Sequence, residues 1–386
     1  MFSRMLALVS ASLLTVATYA VAADLRTDHP DTYVVKKGDT LWDISARFLN
    51  KPWLWPEIWQ ANPQVKNPHR IYPGDVLSLK YINGRPQVEL SRSMGDGPAI
   101  DTIPLSQVED FLKHMRVVDS IKDLPYIVGL EEDQISVANG QLAYARGIPD
   151  AKAGDMYAIV RPTVSYGRNH RGSGEYQLRS DDLNFRGDKL NGTNWNNFWK
   201  DVSYGRAGQP DYLGTELREM SLAQVTRPQG HGIETATLLL IGGGADVHKG
   251  DRLVPVEAQP YDLQFMPHPP KQQAVVSQYT KFRVIGVPDN IAAAGPREVI
   301  AISAGKLDGV DNGTVFSIWR IGSNQADTIK HKNWFTADHD RVRLADEYEG
   351  HVMVFRTFDK MSYGLVMDAT KDIHVGDVLK HPDATR

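Results

Sequence analysis

Apolar positions along this chain recur in three different rhythms. The first is a mostly apolar run without charged residues, "MLALVSASLLTVATYAVA", that follows Arg4 and ends on small residues. A cationic start, an apolar stretch and a small-residue end predict a cleaved export signal over residues 1–23. Residues 24–32 are polar and are expected to form a flexible lead.

The second rhythm is mixed. Tyr33 to Val35 is a short strand, and Leu41, Ile44 and Phe48 then recur at helical spacing. Thr40 with Asp43 three residues on forms an N-cap pattern. Pro56 suits the first turn of a second helix carrying Ile58 and Trp59, which Asn62 and Pro63 end. "YPGDVLSLK" supplies a turn and a closing strand, so residues 33–80 read as a strand-helix-helix-strand unit. Residues 81–103 gather Gly, Pro and Ser and are expected to be a linker.

The third rhythm is of period 2 and fills the rest of the chain, after one helix. In "PLSQVEDFLKHM", Ser106 and Glu109 suggest a capping box, and Val108, Phe111, Leu112 and Met115 make one apolar face. One pattern then occurs twice. "AGDMYAIVRP", "LGTELREMSLAQVTR" and "ADVHKGDRLVPV" have counterparts in "VDNGTVFSIWRI", "EGHVMVFRTFDKMSYGLVMDA" and "KDIHVGDVLKHP". Each copy has a strand ending in Arg and a Gly-Asp turn before a final strand, and Gly allows the turn's positive φ without steric cost. The predicted organisation is a helix plus first β module over 104–256, a Pro-rich connection over 257–281 and a second β module over 282–386. A polar insertion interrupts the first module at 165–211. Its cluster Trp195, Phe198 and Trp199 is a candidate contact for a protein partner. The expected class is α+β, a small βααβ unit followed by mainly β modules, barrel-like or sandwich-like, with few helices.

Composition narrows the chemistry. The 386 residues include 22 prolines and 32 glycines but no cysteine, which excludes disulfides, an acylated cysteine and thiol catalysis together. A formal charge of −4 favours neither nucleic acid nor an anionic membrane surface. No segment after the leader approaches a spanning length, so no membrane span is expected after cleavage. The acidic runs "EED" (131–133) and "SDD" (180–182) fall in turn-like, polar settings and read as solvated faces. Asp246 with His248, and Asp338, His339 and Asp340, offer ligand types without a metal-site spacing. No catalytic group, cofactor or metal is predicted.

"YVVKKGDTLWDIS", an Asn-Pro and "IYPGDVLSL" together resemble a LysM domain over nearly all of residues 33–80. The resemblance implies a βααβ fold that binds the N-acetylglucosamine-containing glycan of peptidoglycan in a shallow groove between two loops. It places Gly38, Asp39, Thr40 and Leu41 on one side, and Asn62, Pro63, Ile71, Pro73 and Gly74 on the other. "NKPWLWPEIW" is richer in Trp than the usual segment at that place; Trp53, Trp55 and Trp59 either stack on a sugar ring or fill the core. The whole layout is similar to the bacterial type IV pilus secretin-associated proteins, in which one LysM module precedes a region related to the C-terminal domain of the flagellar assembly protein FlgT. "IPLSQVEDFL", "LPYIVG", "YARG", "GDMYAIVRP", "LGTELREMSLAQV" and "KGDRLVP" carry that likeness. It implies a periplasmic, cell-wall-associated protein that fastens an outer-membrane secretin oligomer to peptidoglycan. A scaffold of another envelope machine, such as the flagellum, is the alternative, with a wall hydrolase or its regulator behind it.

Overall fold

In a computed structural model, the described residues are 25–56, 71–82, 85–91, 99–170, 176–182, 212–230, 232–256, 265–271, 282–288, 293–322, 324–327, 329–330 and 341–384. The expected signal over 1–23, and most of the expected second helix, lie outside them. The chain is mainly β, with two α-helices of two turns or more among the described residues.

The N-terminal unit holds β1 (Thr32–Val34), α1 (Leu41–Phe48), β2 (Val76–Ile82) and β3 (Arg85–Ser91). The N-cap of α1 forms as its sequence suggests: Asp43 N–H donates to Thr40 Oγ1 at 3.1 Å, and Thr40 Oγ1 donates to Asp43 Oδ2 at 2.9 Å. Leu41, Ile44 and Phe48 are buried, with Val35, Trp55, Ile71 and Leu77 completing the core. The stretch expected to be a linker is not one throughout. β3 pairs antiparallel with β2, from Val76↔Ser91 to Ile82↔Arg85, and buries Val88 in the same core. Ile100 is 6% exposed there as well.

α2 (Leu105–His114) follows, with Val108, Phe111 and Leu112 buried on the expected face. Its expected capping box is absent. Pro104 is the N-cap and has no side-chain bond, so Ser106 lies inside the helix, and Glu109 pairs instead with Lys113 one turn on.

The remaining strands form two rings. The first contains β5 (Tyr126–Leu130), β7 (Leu142–Arg146), β8 (Met156–His170), β10 (Tyr212–Arg227), β11 (Ala236–Gly242) and β13 (Arg252–Pro255). Pairing runs β5-β7-β11-β10-β8-β13 and returns to β5. The second contains β14 (Val284–Gly286), β16 (Val299–Ile302), β17 (Val315–Arg320), β20 (Glu347–Thr357), β21 (Ser362–Ala369) and β23 (Val378–Lys380). Pairing runs β14-β16-β21-β20-β17-β23, and the bridge Arg283↔Val378 closes it. In chain order both rings read first, second, fifth, fourth, third, sixth. The turns before the sixth strands also coincide: Ile127 N–H donates to Asp251 O at 2.8 Å, and Val284 N–H to Asp377 O at 2.9 Å. A two-residue pair accompanies each ring, β6 (Ser136–Val137) with β12 (Val247–His248) and β15 (Ala293–Ala294) with β22 (Ile373–His374).

The two rings differ outside. The β8–β10 ribbon extends beyond the first ring, where β4 (Met115–Val118) adds to β10 and β9 (Tyr176–Asp182) to β8. The start of the polar insertion is therefore a hairpin arm; residues 183–211 lie outside the described ones. In the second ring, β18 (Asn324–Ala326) pairs with β19 (Arg341–Arg343) at the same place in the strand order. Strands β16, β17, β20 and β21 are buried on both faces, unlike the alternation of a half-buried strand. Their inward residues, such as Ile300, Phe316, Val352 and Val366, fill the ring. Their outward ones, Val299, Val315, Met353 and Tyr363, pack under α2, the β8–β10 ribbon and the N-terminal unit.

Candidate functional site

The two loops of the N-terminal unit that carry the predicted sugar-binding positions are each built by an aspartate closing a glycine turn. In the first, Gly38 has φ +91°, and a Cβ there would meet nothing within 4 Å, so dihedral and not space selects glycine. Asp39 Oδ2 accepts from Lys36 N–H and from Tyr33 Oη, both at 2.8 Å. Burial first, then this bond, pushes the Tyr33 hydroxyl's pKa up, so it remains a donor. Thr40 is committed to capping α1. In the second loop, Gly74 has φ +96°, and Tyr72 N–H donates to Asp75 Oδ2 at 3.0 Å. Gly74 N–H then donates to Val35 O at 2.8 Å, and Val35 N–H to Asp75 O at 2.9 Å. Those two bonds zip the second loop to the end of β1 and set it beside the first.

The predicted positions divide by exposure. Gly38 is exposed, and Asp39, Pro73 and Gly74 are half-buried, so these four present a surface at the loop rims. Leu41 and Ile71 are 0% exposed and belong to the core, which leaves only their backbone groups for recognition. Asn62 and Pro63 lie outside the described residues, as do Trp59, Trp195, Phe198 and Trp199. Trp55 fills the core of the unit. Trp53 packs with Trp42 at 6.4 Å between ring centroids, and with His351 of the second ring at 4.6 Å. Both described tryptophans of the Trp-rich stretch serve packing.

One feature of the site gave no sequence signal. Residues 100–102 run across the two loops: Leu41 N–H donates to Asp101 O at 3.0 Å, Trp42 N–H to Thr102 O at 3.4 Å, and Ile100 N–H to Ile71 O at 2.8 Å. The pairing depends on backbone groups, and "AIDTI" has no residue type that announces it.

The LysM domain family matches residues 33–80. Potassium binding protein Kbp of Escherichia coli is 46% identical over 48 residues, 12% of this chain and 32% of that protein. An uncharacterized protein of Bacillus subtilis, YqbP, is 38% identical over 60 residues, 13% of this chain and 27% of that protein. The chain thus spans a third or less of these curated relatives. Residues 33–80 are a LysM domain, a carbohydrate-binding module of the kind that recognises peptidoglycan and occurs in cell-envelope proteins.

Proposed function

We propose that this chain is a non-catalytic periplasmic tether: its LysM domain grips peptidoglycan, and the ring region holds an outer-membrane secretin oligomer of a type IV pilus. The family match over residues 33–80, on loops whose Gly and Asp residues are set as described, carries the first half. An acetylated sugar offers amide groups and C–H faces without charge, and backbone groups at glycine turns suit it. The resemblance of the ring region to secretin-associated proteins supports the second half.

One of the acidic positions weighed for chemistry has a structural bond: Glu131 Oε2 accepts from Leu142 N–H at 3.0 Å.

Magnitude favours a multimeric partner. A single shallow sugar site is worth about −4 to −6 kcal/mol, a dissociation constant between roughly millimolar and tens of micromolar. Copies arrayed on an oligomer gain avidity by about 10²- to 10⁴-fold, because later contacts become intramolecular.

Sedimentation with insoluble peptidoglycan tests the reading. The chain should be retained, and Asp39→Ala, which opens the first loop, should reduce retention by about tenfold while still co-purifying a detergent-solubilised secretin. A folded parent left in the supernatant sinks the wall-binding half. Retention with capture of a flagellar ring component in place of a secretin gives the alternative machine.

A further inference from the structure

The segment that crosses the two LysM loops hydrogen-bonds backbone groups of both. Leu41 N–H and Ile71 C=O belong to opposite loops, and Asp101 O and Ile100 N–H satisfy them. With both side chains buried, Leu41 and Ile71 can offer a ligand only backbone groups, and these two are taken. Trp42 N–H, the next donor along α1, is also taken, by Thr102 O.

The crossing segment has an anchor at each end. Ile100 lies in the core of the LysM domain. Ile103 is 0% exposed, in a different cluster that includes Trp42, Trp53 and Phe111. Pro104 then caps α2, whose last carbonyls are held from the second ring: Arg356 Nη1 donates to Phe111 O at 2.5 Å and to Leu112 O at 2.7 Å. The segment is the direct link between the sugar-binding loops and a helix fixed to the second ring.

We infer that residues 100–103 are an autoinhibitory strap that competes with glycan for the LysM loops, so that full binding requires the strap to leave. The inference rests on the reading of these loops as the glycan site. It concerns the regulation of that site, and makes its affinity depend on how firmly α2 and the LysM domain are docked. Leu41 N–H has one proton to donate and Asp101 O takes it, so strap and sugar cannot both hold it with good geometry, and the strap's backbone lies where a sugar would approach Ile71 C=O. The apparent affinity of the whole chain is therefore reduced by the fraction of molecules with the strap open.

The test compares the full chain with Ile103→Gly, which removes the anchor outside the LysM core. Isothermal titration uses a soluble N-acetylglucosamine oligomer, and near-ultraviolet circular dichroism reports on folding. Ile100→Ala, which weakens the other anchor, is the second variant should Ile103→Gly fail to fold. The folded variant should bind about tenfold or more tightly than the parent, and the oligomer should speed hydrogen exchange of the Ile100 amide in the parent. Equal affinities, or weaker binding by the variant, overturn the strap and leave the glycan reading intact. No binding by either protein removes the glycan reading, and the strap's competition with it.

Discussion

At Glu349 the second ring departs from the first in a way that titrates. Along β17 and β20, Trp319 faces Tyr348 and Ile318 faces Gly350, so Glu349 is the bulged residue between them. In the first ring Val160 faces Glu219 and Ile159 faces Ser221, and the bulged residue is Met220. Arg161 makes a two-pronged pair with the buried Asp251, 2.8 Å on each arm. Its counterpart Arg320 is divided between Glu349 at 2.6 Å and Asp377 at 3.6 Å. Burial, and then the neighbouring Asp377, push the Glu349 pKa up to about 8, against the pull of Arg320 and Lys371. A carboxyl raised in the native state binds a proton there that the unfolded chain has lost. Stability should therefore fall as pH rises from the ordinary carboxylate range to about 8, and level off above it. Urea denaturation of Glu349→Gln should show a flatter profile and a gain of about 2–4 kcal/mol over the parent at pH 9. An unchanged slope in Glu349→Gln would falsify this assignment.

Arg297 shows a second departure of this kind. Gly140 and Arg297 occupy equivalent turns of the two rings, with N–H groups donating to Leu240 O at 2.8 Å and Val366 O at 2.7 Å. Their φ angles are +87° and +68°. The arginine bears the steric cost of the left-handed region, and its guanidinium reaches Asp43 of the LysM helix at 3.2 Å. Exchanging strain relief for a half-exposed ion pair should nearly cancel. Arg297→Gly should change stability by no more than about 1 kcal/mol in urea, and a loss twice that size would give the arginine a larger role.

Among elements, β3 gives the sharpest contrast between what the chain announces and what forms. Asn83-Gly84 between "VLSLKYI" and "RPQVELS" is a strong hairpin signal, outweighed by the Gly, Pro and Ser that follow it. Val88, 1% exposed in the LysM core, tests the difference. Val88→Asp should cost about 3 kcal/mol or more, read as a lower melting temperature, whereas in a free linker it would be neutral. Other local signals divided: the Thr40 cap, the α1 stripe and the Gly-Asp turns formed as read, whereas the Ser106–Glu109 capping box did not form and β8 runs past Arg161 to His170. Return of each sheet to its first strand could not be read, because Arg283 meets Val378 across nearly a hundred residues. The turns that hold Gly38, Asp39 and Gly74 were legible for the same local reason, and the crossing segment was not. Leu41 and Ile71 were named from motif position, which does not distinguish a contact residue from a core one.

For the whole molecule, the question is how the LysM domain and the two rings act on one another. The rings are joined through Glu216, 2% exposed, which accepts from Thr163 Oγ1 at 2.7 Å, Tyr166 Oη at 2.8 Å and Tyr363 Oη at 2.5 Å. Burial, then Glu216, holds the Tyr363 hydroxyl's pKa well above its usual value, so it stays a donor. The LysM domain joins the second ring through Trp42 and Trp53, with Lys51 and Asp383 paired at 2.6 Å at the edge. The apolar contact dominates, since an exposed ion pair contributes about 0–1 kcal/mol and a buried Trp→Ala change costs about 3–5 kcal/mol. In the proposed tether, this contact is the route by which a pull on the rings would reach the LysM loops. Trp53→Ala should uncouple it. Calorimetry should then resolve a separate LysM transition ahead of the ring transition, and small-angle scattering should show a larger radius of gyration. Because the strap is anchored in the same cluster, loosening the dock should also raise affinity for the sugar oligomer. A single transition with an unchanged radius in Trp53→Ala would mean that the strap and the edge contacts hold the domain without this tryptophan.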